Sequence, residues 1–338
     1  MGIQKIANLA GVSKATVSRA LNKPDMVSPD TVEKINNAMK QTGYLPKSRK
    51  TKKNQKNIGI LIIGRDMFME YSPARWRMLH GMQDALKQTG ANLFIEQVPS
   101  NKPLPEHVNK SDVDGLIVLG NSSNSDILAK LESIPSVWVN SQGSNDKDNA
   151  LARNQLVGQM AAQHLVSRGH KNLAFFKVFT KHTALEMDGD FFEFTAMRSG
   201  CNVTVFQGQE SFPENDSIHS WQQLQKTVEE TMRDICEFTP RITGLFVPVG
   251  QVVVMCYQKL QKLGVKPGKD IEIVGCGCEN AMLASLSPMP ANISINTEII
   301  GRRAVEQLLW RIANPKESAT VNITVMPTIN ENDSKKPI

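Results

Sequence analysis

The spacing of apolar residues changes character once along this chain, near residue 57. Before that point it is helical. Ile3, Ile6, Ala7, Leu9 and Ala10 predict a short helix over residues 3–10. Gly11 follows, a residue that tolerates positive φ and so suits a tight turn. Ser13 has the short hydroxyl of an N-cap, and a second helix beginning at Lys14 turns Val17, Ala20 and Leu21 to one face. Ser28 caps a third helix, Pro29 suits its first position and Gly43 its end, with Val32, Ile35, Ala38 and Met39 as the inward stripe. Ala7 is small where the first two helices must approach, and Val17 faces back into the angle between them. The pattern predicts a three-helix, helix-turn-helix domain over residues 1–46.

From residue 57 strand-sized apolar runs alternate with helical stretches. Strands are predicted at Ile58–Ile63, Asn92–Gln97, Asp114–Leu119 and Ser136–Val139, with helices at Arg75–Gln88 and Ser125–Glu132 between them. A second series follows: helix Gln155–Arg168, strand Asn172–Phe176, a helix near Phe191–Arg198 and strand Asn202–Phe206. Helix Gln222–Cys236, strand Gly244–Val247, helix Val252–Leu263 and strand Ile271–Gly275 complete it. Such alternation means parallel sheets covered by helices, and runs such as IGILII and GLIVLG are apolar on both faces as a buried parallel strand requires. Two series mean two α/β lobes. The organisation expected is a helix-turn-helix domain over 1–46, a basic linker over 47–57, a two-lobe domain over 58–330 and a tail over 331–338.

Charge sharpens the division. Residues 1–56 hold 12 Lys/Arg against three acids, a local +9 in a chain whose net charge is +6, so the remainder is slightly acidic. An excess confined to one small domain points to a polyanionic partner. Other classes lose ground. The longest apolar runs are far short of the roughly 20 residues a membrane helix needs, and the N-terminus lacks the apolar core of a signal peptide, so a cytoplasmic location is expected. Five cysteines, an odd number dispersed over the chain, argue against a disulfide framework. Cys276 and Cys278 have no second pair or nearby His, and the six histidines show no metal-ligand spacing, so neither a metal nor a cofactor is expected. Gly275-Cys276-Gly277 is followed by Asn280 where a dinucleotide fingerprint needs glycine. No catalytic constellation can be argued from spacing, and the protein is expected not to be an enzyme.

The second helix then acquires a chemistry. With Val17, Ala20 and Leu21 inward, Lys14, Ala15, Ser18, Arg19 and Asn22 are left outside. Lys14 and Arg19 can donate to guanine O6 and N7, and Ala15 can meet a thymine methyl. Ser13, Thr16, Ser18 and Asn22 suit phosphate oxygens. The stretch IQKIANLAGVSKATVSRALNKPDMVSPDTVEKINNAMKQTGYLP resembles the DNA-binding headpiece of the lac-repressor (LacI/GalR) family of bacterial transcription regulators, whose signature is matched by GVS-x-ATVSRxLN, then VS, then GY-x-P. The resemblance places Lys14, Ala15 and Arg19 in base-reading positions. It continues through IGI at 58–60, GLIVLG at 115–120, AAQHLVSRGHKNLAFF at 161–176, KLGVKPGKDIEIVG at 262–275 and GRRAVEQLLWRI at 301–312. What it implies is a two-lobe body like that of periplasmic sugar-binding proteins, a homodimer on a palindromic DNA operator, repression as the activity, and a small-molecule effector between the lobes. A solute-binding protein and a DNA binder without small-molecule control are the competing readings.

Two departures from the family pattern stand out. The linker PKSRKTKKNQKN contains no leucine to wedge between bases of the minor groove. Lys47, Arg49, Lys50, Lys52 and Lys53 are expected to act on phosphates instead, unless the segment is merely a tether. The strand ends also differ. Val249-Gly250 stand where the family has Asn-Asp, and Gly275-Cys276-Gly277-Cys278 where it has Gly-aromatic-Asp-Asp. Asp188, four residues before Phe192, aligns with a sugar-gripping arginine, Ile295 with a glutamine and Asn140 with an acid. Sugars are held by charged, bidentate groups, so a typical sugar effector is not expected. Three alternatives stay open: another ligand held by Asn140, His182, Asp188, Phe192, Gln251 or Glu279, a protein partner, or a vestigial cleft.

Overall fold

The computed structural model describes residues 3–22, 26–42, 55–64, 73–87, 89–99, 102–105, 108, 112–120, 125–140, 147–210, 217–278 and 280–331. The basic linker, with Lys47, Arg49 and Lys50, and also Glu279 and the expected tail beyond residue 331, lie outside these residues. The chain divides into two compact units, Met1–Gln55 and Lys56–Ile338.

In the first unit α1 (Ile3–Ala10), α2 (Lys14–Asn22) and α3 (Pro29–Thr42) enclose Ile6, Ala7, Ala10, Val17, Ala20, Ile35 and Ala38. Of the two expected caps, Ser13 accepts from a backbone N–H and Ser28 meets the neighbouring Thr31 hydroxyl. Thr16 N donates to Ser13 Oγ at 3.1 Å, and the hydroxyls of Ser28 and Thr31 are 2.8 Å apart at the start of α3. Gly11 takes φ +65°, which lets Val12 N turn back to Ala7 O at 3.0 Å and redirects the chain between α1 and α2.

The second unit has two six-stranded sheets with helices on both faces. The N-terminal lobe contains β1 (Asn57–Ile63), α4 (Pro73–Lys87), β2 (Asn92–Val98), β3 (Gly115–Gly120), α5 (Ser125–Glu132), β4 (Ser136–Val139) and β5 (Asp148–Ala152). The C-terminal lobe contains α6 (Asn154–Ser167), β6 (Asn172–Phe179), α7 (Thr183–Arg198), β7 (Asn202–Gln209), α8 (Ser217–Glu237), β8 (Gly244–Val247), α9 (Gly250–Lys262), β9 (Glu272–Cys276), α10 (Asn280–Leu283) and β10 (Ala291–Ser294). α11 (Thr297–Ala313) then returns to the first lobe, where Ile300, Ala304, Val305 and Leu308 join the core of Ile58, Ile60 and Met82. Finally β11 (Asn322–Val325) pairs with β5, and β12 (Thr328–Asn330) with β10. The sheet orders are β11-β5-β4-β3-β1-β2 and β12-β10-β9-β8-β6-β7, parallel throughout except for β12. The chain therefore crosses between lobes after β5, after β10 and after β11.

Every strand predicted from the sequence is present. Four strands escaped it: β5, β10, β11 and β12. α7 is also longer than expected, because it starts at Thr183, with His182 as its N-cap, and not near Phe191. All six central strand residues Ile58–Ile63 except Gly59 carry fully or nearly fully buried aliphatic side chains. Each such side chain contributes roughly 1.5–3 kcal/mol on burial.

α4 and α11 meet more closely than side chains would allow. A Cβ on Gly81 would lie 2.0 Å from the carbonyl oxygen of Glu298, and one on Gly301 would lie 2.1 Å from that of Met78. The two helices touch backbone to backbone.

Candidate functional site

Two places hold chemistry. The first is the outer face of α2. Val17 and Ala20 are buried, which turns Lys14, Ala15, Ser18 and Arg19 to solvent, while Thr16 is half-buried. Ser13 is exposed but its hydroxyl is engaged as the cap and lies 2.8 Å from the Thr16 hydroxyl. The side chain of Asn22 lies outside the described residues. The sequence KATVSRALN carries no acid, so nothing on α2 offsets the positive end of its dipole. A cationic, acid-free helix face with a capped N-terminus attracts phosphate, and Lys14, Ala15 and Arg19 are spaced to reach base edges.

The second is a cavity of about 340 Å³ between the lobes. Its walls come from α4 (Ala74, Arg77), the turn after β9 (Gly277, Cys278), β10 (Asn292, Ser294), the crossover residues 295–299 and Asn330 of β12. Of the residues singled out in the sequence only Gly277, Cys278 and Ile295 line it. Asn140, His182, Asp188, Phe192 and Gln251 do not, and each has a structural task or a different place.

Asn140 is exposed at the end of β4 with φ +48°, and its Oδ1 accepts from Ala152 N at 3.1 Å, tying β4 to β5. His182 Nδ1 accepts from Leu185 N at 3.4 Å as the cap of α7. Phe192 has no exposed surface; its ring packs against Phe175 and Phe246 with centroids 6.2 and 5.3 Å away, so it is core. Gln251 is a half-buried residue of the first turn of α9. Asp188 is buried between α6 and α7, where Asn154 Nδ2 donates to it at 3.0 Å. Burial raises its carboxyl to about 8, against the smaller lowering effect of that hydrogen bond, so the acid is mostly protonated at neutral pH. It is not a charged anchor for hydroxyls.

The turn after β9 is closed by packing. Asn292, itself buried, donates from Nδ2 to Cys278 O at 2.9 Å and accepts from Cys278 N at Oδ1 at 3.3 Å. Gly250 lies so close to this turn that a Cβ there would be 2.8 Å from Cys278 Cα. Cys276 and Cys278 are buried free thiols, and burial, followed by the charge of Asp188, pushes the Cys276 thiol well up. They act as small core residues.

Polar atoms that do face the cavity were not visible as a motif. Asn296, with φ +55°, bridges to Met326 O at 2.8 Å through Nδ2 and opens α11, and Ser294 Oγ lies 3.3 Å from its Oδ1. Arg77 is on α4. Arg77 is far from Ser294 and Asn296 in the sequence, so no local pattern could have announced the set.

A separate polar cluster sits in the C-terminal lobe. His164 places its two ring nitrogens 3.1 Å from Glu272 and 3.1 Å from Glu331, while His170 Nε2 is 2.9 Å from Glu272 and Arg168 Nε also donates to it. Burial would raise Glu272, but hydrogen bonds from His164, His170 and Arg168 outweigh it and hold the carboxyl well below the usual range. Burial would likewise lower His164, and its two carboxylate partners raise it instead. The cluster ties α6, β9 and the segment after β12 together. Among the described residues no helix is long and apolar enough to cross a membrane.

Comparison with known proteins bears on both units of the chain. Residues 2–47 match the family model described as bacterial regulatory proteins, lacI family. Residues 69–210 match periplasmic binding proteins and sugar binding domain of LacI family, and residues 162–334 match a periplasmic binding protein-like domain. The chain is similar to the ribose operon repressor of Escherichia coli (strain K12), 25% identical over 331 residues covering 93% of each chain. It is also similar to the HTH-type transcriptional repressor PurR of Aliivibrio salmonicida (strain LFI1238), 26% identical over 328 residues and 92% of each. Among solved structures the fold is shared with a lac repressor dimer bound to operator and the anti-inducer ONPF (TM-score 0.68, 18% identity, 98% of each chain). It is shared too with the transcriptional regulator CelR–cellobiose complex (TM-score 0.67, 18% identity, 99% of this chain and 100% of that one).

Proposed function

Because the chain belongs to the lacI family of bacterial regulatory proteins, we propose that it is a sequence-specific transcriptional repressor acting as a homodimer on a palindromic operator. The observation that carries this reading is the outer face of α2, where Lys14, Ala15, Ser18 and Arg19 are exposed over a fully packed three-helix core. Lys14 and Arg19 take bases, Ala15 meets a thymine methyl, and Ser13, Thr16, Ser18 and Asn22 serve phosphates. Two headpieces on a two-fold axis read two half-sites. The printed names of the relatives, both repressors, and the operator-bound dimer among the structural neighbours support the same reading.

Selection of binding sites from random duplexes with the full chain tests it. The expected result is a palindromic motif, with Arg19→Ala weakening binding by about 1–3 kcal/mol and relaxing preference at one base position per half-site. A selection that returns no sequence preference overturns it.

The effector is a small polar molecule held in the interlobe cavity by Arg77, Ser294 and Asn296, not by strand-end carboxylates. A second reading, a cleft without any effector, is favoured by one observation: Gly250 and Cys278 pack together at the β8 and β9 strand ends, and Asn292 spends both ends of its amide on the same turn. Thermal-shift screening of the full chain against sugars, nucleosides, purines and sugar acids separates the two. A true ligand at 100 times its Kd stabilises by about 2.7 kcal/mol; no shift across such a library favours the closed cleft.

A further inference from the structure

We propose that His80, Asp84 and Glu298 form a binding site for a divalent transition metal of the zinc class at the crossing of α4 and α11. His80 and Asp84 are one helical turn apart and face the same side. Glu298 reaches them from the first turn of α11. His80 Nδ1 is 3.6 Å from Asp84 Oδ2 and 3.9 Å from Glu298 Oε1. One ligand atom from each of the three lies within 4.8 Å of the others. In a tetrahedral zinc site with bonds of roughly 2.0–2.1 Å, neighbouring ligand atoms are roughly 3.3 Å apart, so small side-chain rotations bring the set to coordination distance.

The backbone separates this arrangement from a chance meeting of surface charges. Gly81, next to His80, presses on the carbonyl of Glu298, and Gly301 presses on that of Met78. Met78 and Met82 on α4 and Ile300 and Ala304 on α11 anchor the same crossing in the lobe core. The Cα positions of all three ligand residues are thereby held while their side chains reach the surface, which is the preorganisation a metal site needs.

The surrounding cations hold the two carboxylates from behind. Lys87 Nζ donates to Asp84 Oδ1 at 2.5 Å, leaving Oδ2 turned toward His80. Arg302 Nη2 is 3.6 Å from Glu298 Oε1. Such partners orient ligating carboxylates. An imidazole in the set favours Zn²⁺, Co²⁺ or Ni²⁺ over Mg²⁺ and Ca²⁺, which take oxygen ligands. Three protein ligands leave a coordination position for water or another ligand. Glu298 also lines the interlobe cavity, so an ion here sets positive charge at the cavity rim.

Isothermal titration of the full chain with Zn²⁺ alone is the test. Loss of a partner in the second shell of a metal site already costs 10–100-fold, so His80→Ala should weaken the uptake by at least about tenfold and the His80→Ala/Asp84→Asn pair should weaken it further. His219→Ala, an exposed histidine on α8, should leave it unchanged, and equal Mg²⁺ should not compete. Because His80 is exposed, circular dichroism of His80→Ala should match the parent. Co²⁺ guards against binding by the five cysteines: bound through this site it gives visible bands without strong near-ultraviolet thiolate absorption. Equal Zn²⁺ affinity in the parent and His80→Ala overturns the proposal, as does a thiolate band accounting for all bound Co²⁺.

Discussion

At Asp188 residue type and surroundings pull in opposite directions. An aspartate in an unfolded chain titrates near 3.9, whereas burial raises this one to about 8 in the folded protein. Between those values the folded chain holds a proton that the unfolded chain has released. The stability present below about pH 4 is therefore lost progressively as pH rises to about 8. Asp188→Asn removes that loss, since the amide keeps an oxygen for Asn154. The variant should equal the parent near pH 4 and exceed it by up to about 5 kcal/mol at pH 8.5 in denaturant unfolding; an unchanged difference across that range means the carboxyl titrates elsewhere. Glu272 works with the opposite sign. Its lowered pKa gives stability that is present at neutral pH and lost on acidification, while the raised His164 loses its share as pH rises. The sequence could place Lys14, Ala15 and Arg19 on an outer face, because the face of a short helix follows from its own spacing. It could not show that Asp188 is buried beside Asn154 or that Phe192 stacks on Phe246, because those partners come from other elements.

Among the elements, the pair α4 and α11 depends closely on a single missing side-chain atom. Gly81→Ala puts a methyl 2.0 Å from the Glu298 carbonyl oxygen, and backbone cannot swing aside as a long side chain can. The helices must separate, at a cost of about 1–3 kcal/mol or more. A drop in the denaturant midpoint at constant m-value is the expected reading, and an unchanged midpoint would show that the crossing is looser than described. Most helices and the long central strands were legible because periodicity and caps are local, although α10 and α11 were not predicted. β5, β10, β11 and β12 were not: DNALA, ANIS, NITV and TIN mix polar with apolar residues and lack the apolar run of a central strand, and β11 and β12 also pair with strands far away in the chain. The start of α7 was missed for a related reason: its first half mixes Asp and Gly with apolar residues, since Asp188 and Gly189 face the interior.

For the whole molecule the division of charge sets how it meets DNA. The first 56 residues carry the entire positive excess, so affinity should fall steeply with salt, by about 0.9 in log–log slope for each phosphate contact. Replacing Lys47, Arg49 and Lys50 together by Gln should lower that slope by up to about 3 and weaken all duplexes alike, leaving the selected motif intact; a changed motif would instead mean that the linker reads bases. By itself the sequence determined the three-helix headpiece, its outward cationic face, the two parallel α/β lobes and the family to which they belong, because helix phase, caps and strand alternation are properties of neighbouring residues. Only the tertiary structure decided which polar groups share a cavity, that the strand-end Gly250 and Cys278 close on each other, and that His80 and Asp84 meet Glu298. Those meetings join elements distant in the chain, and packing of the cores between them decides which side chains end up side by side.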